Sequence, residues 1–163
     1  MIVSNTSPLR YLIAVGQADL VGKVFHEVLV PPAVIEELTH PSGREDVRRW
    51  VSPNPSWLSI RKLRTAPAQE LLTTLDRGEA EAIQLAIETR ADFILIDERL
   101  GRRSAASLGL NVIGVLGLLR ESYRQHFLVQ PMDVLDQMRL AGFRISQALY
   151  RGFQEEIRSM RAQ

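Results

Sequence analysis

The sequence predicts an α/β fold in which a parallel sheet is covered by helices on both faces. Two observations carry this. Short apolar runs of strand length, Met1–Val3, Val28–Val30, Phe93–Ile96 and Asn111–Ile113, alternate with stretches of helical periodicity. The 163 residues, 45% hydrophobic and 24% charged, suit one well-buried soluble domain. After Gln130 the pattern changes to helix only, which adds C-terminal helices to the α/β unit.

Taken in order, Met1-Ile2-Val3 is a β-type start, and Asn5-Thr6-Ser7-Pro8 is a cap sequence with Pro8 at the first helical position. Leu9 to Val15 and Gln17 to Phe25 read as helices separated by Gly16. Val28-Leu29-Val30 is a second strand, and Pro31-Pro32 starts a helix over Ala33 to Thr39. Pro41-Ser42-Gly43 precedes a charged helix, Arg44 to Trp50, and Ser52-Pro53-Asn54-Pro55 is a loop. Trp57 to Leu63 alternates as a strand does. Helices at Pro67 to Leu75 and Gly78 to Arg90 lead to the strand Phe93 to Ile96. Glu98 to Leu108 is helical and stops at Gly109. Asn111-Val112-Ile113 is the last strand, followed by helices at Val115 to Gln125, Pro131 to Leu140 and Ser146 to Met160. Ile145, Leu149, Phe153, Ile157 and Met160 form an apolar stripe for packing on the domain or at an interface.

Composition removes several functions. No cysteine is present, which excludes disulfides, thiolate nucleophiles and Cys-ligated zinc and is compatible with a reducing cytoplasm. The apolar run Val112 to Leu119 is too short to span a bilayer, and no basic region precedes an apolar core at the N-terminus, so neither a membrane span nor a signal peptide is expected. A net charge of +1 means that any nucleic-acid contact rests on a local patch. Of the 20 basic residues, only Lys23 and Lys62 are lysines; arginine suits bidentate phosphate contacts, and codon bias yields the same excess. No Ser/His/Asp order, P-loop or dinucleotide glycine fingerprint occurs. His26, His40 and His126 lack ligand spacing, and Trp50 and Trp57 read as core anchors.

Chemistry in an open α/β sheet gathers outside the carboxyl ends of the strands. Polar residues follow the strands there: Asn5, then Glu36 and Glu37, then Asp97. Helical phase puts Glu79 in line with Ala82, Ile83, Ala86 and Ile87, facing the sheet, and leaves Glu81, Gln84 and Glu88 toward solvent. The same count favours Glu37 over Glu36. Clustered carboxylates repel unless a divalent cation neutralises them, and magnesium takes oxygen ligands. Two such ions can clamp a phosphodiester. Asn5, Glu37, Glu79 and Asp97 are therefore the candidate catalytic and metal-binding residues. Arg99, Arg102 and Arg103 are candidate phosphate ligands, with Thr6 and Ser7 near the same place. Each also has a plain structural role: Asp76-Arg77-Gly78-Glu79 fits a capping box, Asn5, Ser7 and Asp97 suit helix caps, and the arginines suit a solvated helix face.

These residues resemble the PIN-domain superfamily of metal-dependent ribonucleases, which includes the VapC-type toxins. Asn5-Thr6-Ser7 resembles its strand-end D-T-N/S motif, Glu37-Leu38 its second acidic position, and Glu79 and Asp97, 18 residues apart, its third and fourth. The segments VSNTSPL, GEAEAI, LIDERLGRR and GFRIS are similar to one branch of that superfamily and spread the likeness over residues 1–145. The resemblance implies a three-layer α/β/α sandwich over 1–145, with 146–163 as a C-terminal helix. It also implies a Mg²⁺- or Mn²⁺-dependent endoribonuclease, the toxin of a toxin–antitoxin pair, in the cytoplasm. RNA, a small antitoxin and a second copy of the chain would be its partners. Asn5 departs from the pattern, since an amide ligates without charge. The alternative is a catalytically weak or silent module that binds RNA or a partner protein.

Overall fold

The computed structural model describes residues 1–163. Five parallel strands stand in the order β3-β2-β1-β4-β5: β1 (Ile2–Ser4), β2 (Val28–Val30), β3 (Leu58–Ile60), β4 (Phe93–Leu95) and β5 (Val112–Ile113). The central register sets Ile2 beside Val28 and Phe93, and Ser4 beside Leu95. Because side chains alternate along a strand, each strand feeds two cores. Ile2, Val28, Val30 and Leu95 enter one apolar cluster, and Val3, Leu29, Ile94 and Ile96 enter the other. The result is a three-layer α/β/α sandwich.

On the first face lie α1 (Thr6–Ala14), α2 (Asp19–Phe25), α3 (Pro32–Leu38) and α4 (Glu45–Val51), joined later by α8 (Val115–Arg124) and α9 (Pro131–Leu140). The second face carries α5 (Gln69–Thr74), α6 (Arg77–Thr89) and α7 (Arg99–Ser107). The last helix, α10 (Gln147–Arg161), starts at Ser146, whose hydroxyl accepts from the Leu149 N–H. It buries Phe153 and Ile157 in the first core, while Leu149 stays 59% exposed. The stripe seen in sequence is thus split between packing and an open surface. Trp50 and Trp57 meet in a tilted contact, ring centroids 5.7 Å apart, against the first core, and the Trp57 indole donates to Asp19 at 3.3 Å. No helix is long and apolar enough to cross a membrane.

Some expectations need correction. The helix after β1 begins at Thr6, so Pro8 is its third residue and not its first. The alternation from Trp57 to Leu63 yields only Leu58–Ile60 as strand, because the partner strand ends at Val30 opposite Ile60 and nothing further remains to pair. Glu81 is not on the solvent side. It is 9% exposed, and its carboxylate accepts from the Ala33 N–H at 3.3 Å and from Arg77 Nε at 2.8 Å. The start of α3 supplies that main-chain donor, which makes burial of a carboxylate tolerable. Ile87, expected on the buried face, is 41% exposed. At ~1.5 Å per residue α6 outruns strands only three residues long, so its last turn has no sheet beneath it.

Replacing Phe153 by alanine removes the main anchor of α10 and should cost ~3–5 kcal/mol in urea unfolding. A loss below ~1 kcal/mol would show that the helix is not part of the folded unit.

Candidate functional site

Main-chain geometry brings the strand ends to one edge. Asn5 follows β1, and its N–H bonds to the Leu95 carbonyl of β4 at 2.9 Å, which sets it beside the strand that delivers Asp97. Asn5 is the N-cap residue of α1 but makes no side-chain cap bond, and it is 2% exposed with its Oδ1 unpartnered. The capping role weighed for it is therefore not the one it plays.

Glu37 is half-buried on α3. One carboxylate oxygen accepts from the Thr6 hydroxyl and the other from the Gly78 N–H at 3.1 Å. It ties the first turn of α1 to the first turn of α6. A Cβ on Gly78 would lie 2.5 Å from this carboxylate, so only glycine leaves room for it. Thr6 is consequently a partner of Glu37. Ser7 is half-buried in the same turn.

Glu79 is 5% exposed and does form the capping box with Asp76. Its Oε2 accepts from the Asp76 N–H at 3.3 Å, while Oε1 is buried with no partner. That free oxygen lies against α7, 2.8 Å from where a Cβ on Gly101 would stand. Burial pushes the Glu79 carboxyl up to about 7, helped by the charges of Asp76, Glu98 and Glu37.

Asp97 does not cap the helix that follows it; Glu98 occupies that position. Instead Asp97 Oδ1 accepts from the Val115 N–H at 3.0 Å, at the start of α8, and Oδ2 is buried without a partner. Gly114 again makes space, since a Cβ there would lie 2.7 Å from Asp97 Oδ1. Burial raises this carboxyl to about 6, opposed by the Val115 N–H and by Arg102 and reinforced by Glu98. Glu98 thus acts on both buried carboxyls. Sequence reasoning passed over it, although it directly follows Asp97.

Asp97 also lines a cleft of about 860 Å³ between α7, β5 and α8 on one side and residues 143–156 on the other. Arg99, Arg102 and Arg103 line it, as expected, and so do Arg120 and Arg144, which were not singled out. Arg102 donates to the Ile96 carbonyl at 3.0 Å, and Arg120 pairs with Glu156 at 3.0 Å. Arg99, Arg103 and Arg144 have no carboxylate partner, so three guanidinium groups face the cleft uncompensated. Ile113, Leu116, Leu149 and Phe153 form its apolar floor.

A short-stranded parallel sheet in three layers, with carboxylates at its carboxyl edge, defines the class. The PIN-domain family matches residues 1–159, and the chain belongs to that family. Membership links it to a nuclease superfamily. No curated protein matches it. Among solved structures it is similar to a PilT N-terminus domain protein from the hyperthermophilic archaeon Sulfolobus solfataricus P2. The TM-score is 0.56 at 17% identity, over 75% of this chain and 93% of that one, a likeness of fold.

The donor set fits a divalent cation in kind but falls short in charge. Asn5 Oδ1, Glu79 Oε1 and Asp97 Oδ2 are hard oxygen donors lacking partners. Yet no three His, Cys, Asp or Glu side chains converge closely enough to share an ion. Glu37, the fourth candidate, already has both oxygens engaged.

The raised carboxyls make stability depend on pH. Folded values of about 7 and about 6 exceed the ordinary 4.5 and 3.8, so the folded state holds more protons between them. Their contribution is complete below about pH 4 and lost as pH rises to about 7. In metal-free buffer the melting temperature should fall across that window, and Glu79→Gln with Asp97→Asn should flatten the fall. An unchanged slope in the double variant would refute the assignment.

Proposed function

We propose that this PIN-domain chain is a catalytically weak or silent module that binds RNA. One observation carries the reading. The cleft presenting three uncompensated arginines is lined also by Asp97, whose Oδ2 is buried without a partner, and no three acidic or histidine side chains converge to hold a metal ion. Guanidinium groups in a groove neutralise successive phosphates, and the apolar floor accepts unstacked bases. RNA is the nucleic acid that the family link to nucleases of this superfamily suggests. Such a module works in the cytoplasm.

A second reading is favoured by the three buried oxygens without partners. In it the chain is a Mg²⁺- or Mn²⁺-dependent endoribonuclease, the toxin of a toxin–antitoxin pair, acting as a homodimer and held in check by a small antitoxin. Asn5, Glu79 and Asp97 would hold the ion, which when bound supplies Lewis-acid activation of a phosphodiester. Glu37 would hold α1 and α6 in place, and Thr6 and Ser7 would lie beside the scissile phosphate. Arg99, Arg102 and Arg103 would orient the RNA backbone. Asn5 brings no charge, so turnover on this reading is slow.

Fluorescence anisotropy with a short single-stranded RNA, in EDTA, tests the first reading. Binding should weaken with salt, and removing Arg99, Arg103 and Arg144 together should flatten the logarithmic salt slope by about 0.7 per contact. Salt-independent binding, or no binding, would reject it. Product analysis with Mn²⁺ separates the two readings. Near-absent cleavage that rises in Asn5→Asp supports the weak module. Efficient wild-type cleavage abolished by Asp97→Asn would instead establish the nuclease.

A further inference from the structure

The cleft that gathers the arginines also holds a carboxylate away from the sheet edge. Glu156 lines it from α10, and its Oε1 accepts from Arg120 Nη1 of α8 at 3.0 Å, so the pair bridges the two helices. Neither side chain makes any other hydrogen bond, and they are 41% and 49% exposed. Glu156 Oε2 and the remaining Arg120 N–H groups are therefore open to a ligand. An exposed ion pair of this kind adds little to stability. Among phosphate-binding arginines a carboxylate also repels a polyanion, unless the ligand brings N–H donors to it. Nucleobases carry such donors. The surface beside the pair suits a base as well. Leu116 lies one turn before Arg120, and Phe153 and Leu149 lie one and two turns before Glu156, on the helix faces that carry the pair. Gly152 also lines the cleft, with nothing within 4 Å of where a Cβ would stand, so the approach to Glu156 is open.

Resting on the RNA reading, we propose that the Arg120–Glu156 pair is a guanine reader, which makes the preferred ligand of the cleft a guanine-containing single strand. The pattern of donors and acceptors carries the choice of base. Along the pair, an Arg120 N–H donates, Glu156 Oε1 accepts through its second lone pair, and Oε2 accepts. The base-pairing edge of guanine is the complement, with O6 as acceptor and N1–H and N2–H as adjacent donors. No other base sets two donor atoms beside an acceptor. Adenine and cytosine have one amino nitrogen there, and uracil has one N–H between two carbonyls. Each of them leaves a group of the pair unmatched, which costs affinity. The arginines without carboxylate partners hold the backbone, and the pair selects the base.

Fluorescence anisotropy in EDTA compares a short oligouridylate with the same oligomer carrying one central guanosine, adenosine or cytidine. The wild type should bind the guanosine oligomer about tenfold more tightly than the other three. Glu156→Gln keeps an oxygen for Arg120 but turns the outer acceptor into a donor, so it no longer matches guanine. It should lose the guanosine preference and bind oligouridylate at least as tightly as the wild type does. Glu155→Gln breaks an exposed pair with Arg158 on the same helix, outside the cleft, and should keep the preference. A merely structural Arg120–Glu156 pair would shift the melting temperature and leave the order of the four oligomers unchanged. Equal binding of the four by the wild type overturns this proposal and leaves the RNA reading standing. So does a guanosine preference that persists in Glu156→Gln when circular dichroism shows it folded, or one that Glu155→Gln abolishes as well. Failure to bind any of the four rejects the RNA reading and this proposal with it.

Discussion

Keeping carboxylates out of water at the carboxyl edge of the sheet is the constraint on which this structure depends. A buried carboxylate is tolerated only with hydrogen-bond donors, and donors here come from main-chain N–H groups at or near helix starts. Glu37 takes the Gly78 N–H, Glu79 the Asp76 N–H, and Asp97 the Val115 N–H. The helix dipole adds to each contact, because the positive end of α6 or α8 is the end that approaches. Space is provided in the same way each time. Gly78, Gly101 and Gly114 stand where a Cβ would lie within 2.8 Å of a Glu37, Glu79 or Asp97 oxygen. Helices begin within four residues of the ends of β1, β2, β4 and β5, which places Asn5, Glu37, Asp97 and the Val115 N–H near one edge of the sheet.

Asn5 belongs to the same balance. An aspartate there would put a third charge beside Glu79 and Asp97, whose carboxyls burial already holds above their ordinary range. The amide avoids that further repulsion. It also leaves Oδ1 buried with no partner, so the relief is incomplete. On the proposed reading, an uncharged amide beside two carboxylates lowers the affinity for a divalent cation. That combination suits a binding module better than an efficient hydrolase.

The sheet and its edge were legible because period and position are local properties. Val28–Val30 and Phe93–Ile96 announce themselves as apolar runs, and a residue following a strand must lie at its end. Glu79 was separable from its neighbours by helical phase for the same reason. Phase failed for Glu81, whose burial depends on the Ala33 N–H, 48 residues away in sequence. It failed for Ile87 because the sheet is shorter than the helix above it. The engagement of Glu37 by Thr6 and Gly78 was equally invisible, since it joins three elements. The room that Gly78, Gly101 and Gly114 leave for side chains from elsewhere in the chain has no signature in the sequence.

The arginine cleft shows why a site can be half visible. Arg99, Arg102 and Arg103 share one helix next to Asp97, and proximity in sequence suffices to suspect them. Arg144 reaches the same cleft from the segment between α9 and α10, and that segment is positioned by Phe153 and Ile157 packing into the first core. Arg120 is held there by Glu156 of the last helix. The C-terminal helix is therefore a wall of the cleft as well as a cover for the core. Without it, α7 and α8 would present their arginines on an open face, where screened charges bind weakly and a base has no apolar surface opposite. On the proposed reading α10 therefore sets the affinity of this cleft for a polyanion, although it contributes no donor to the carboxylate cluster.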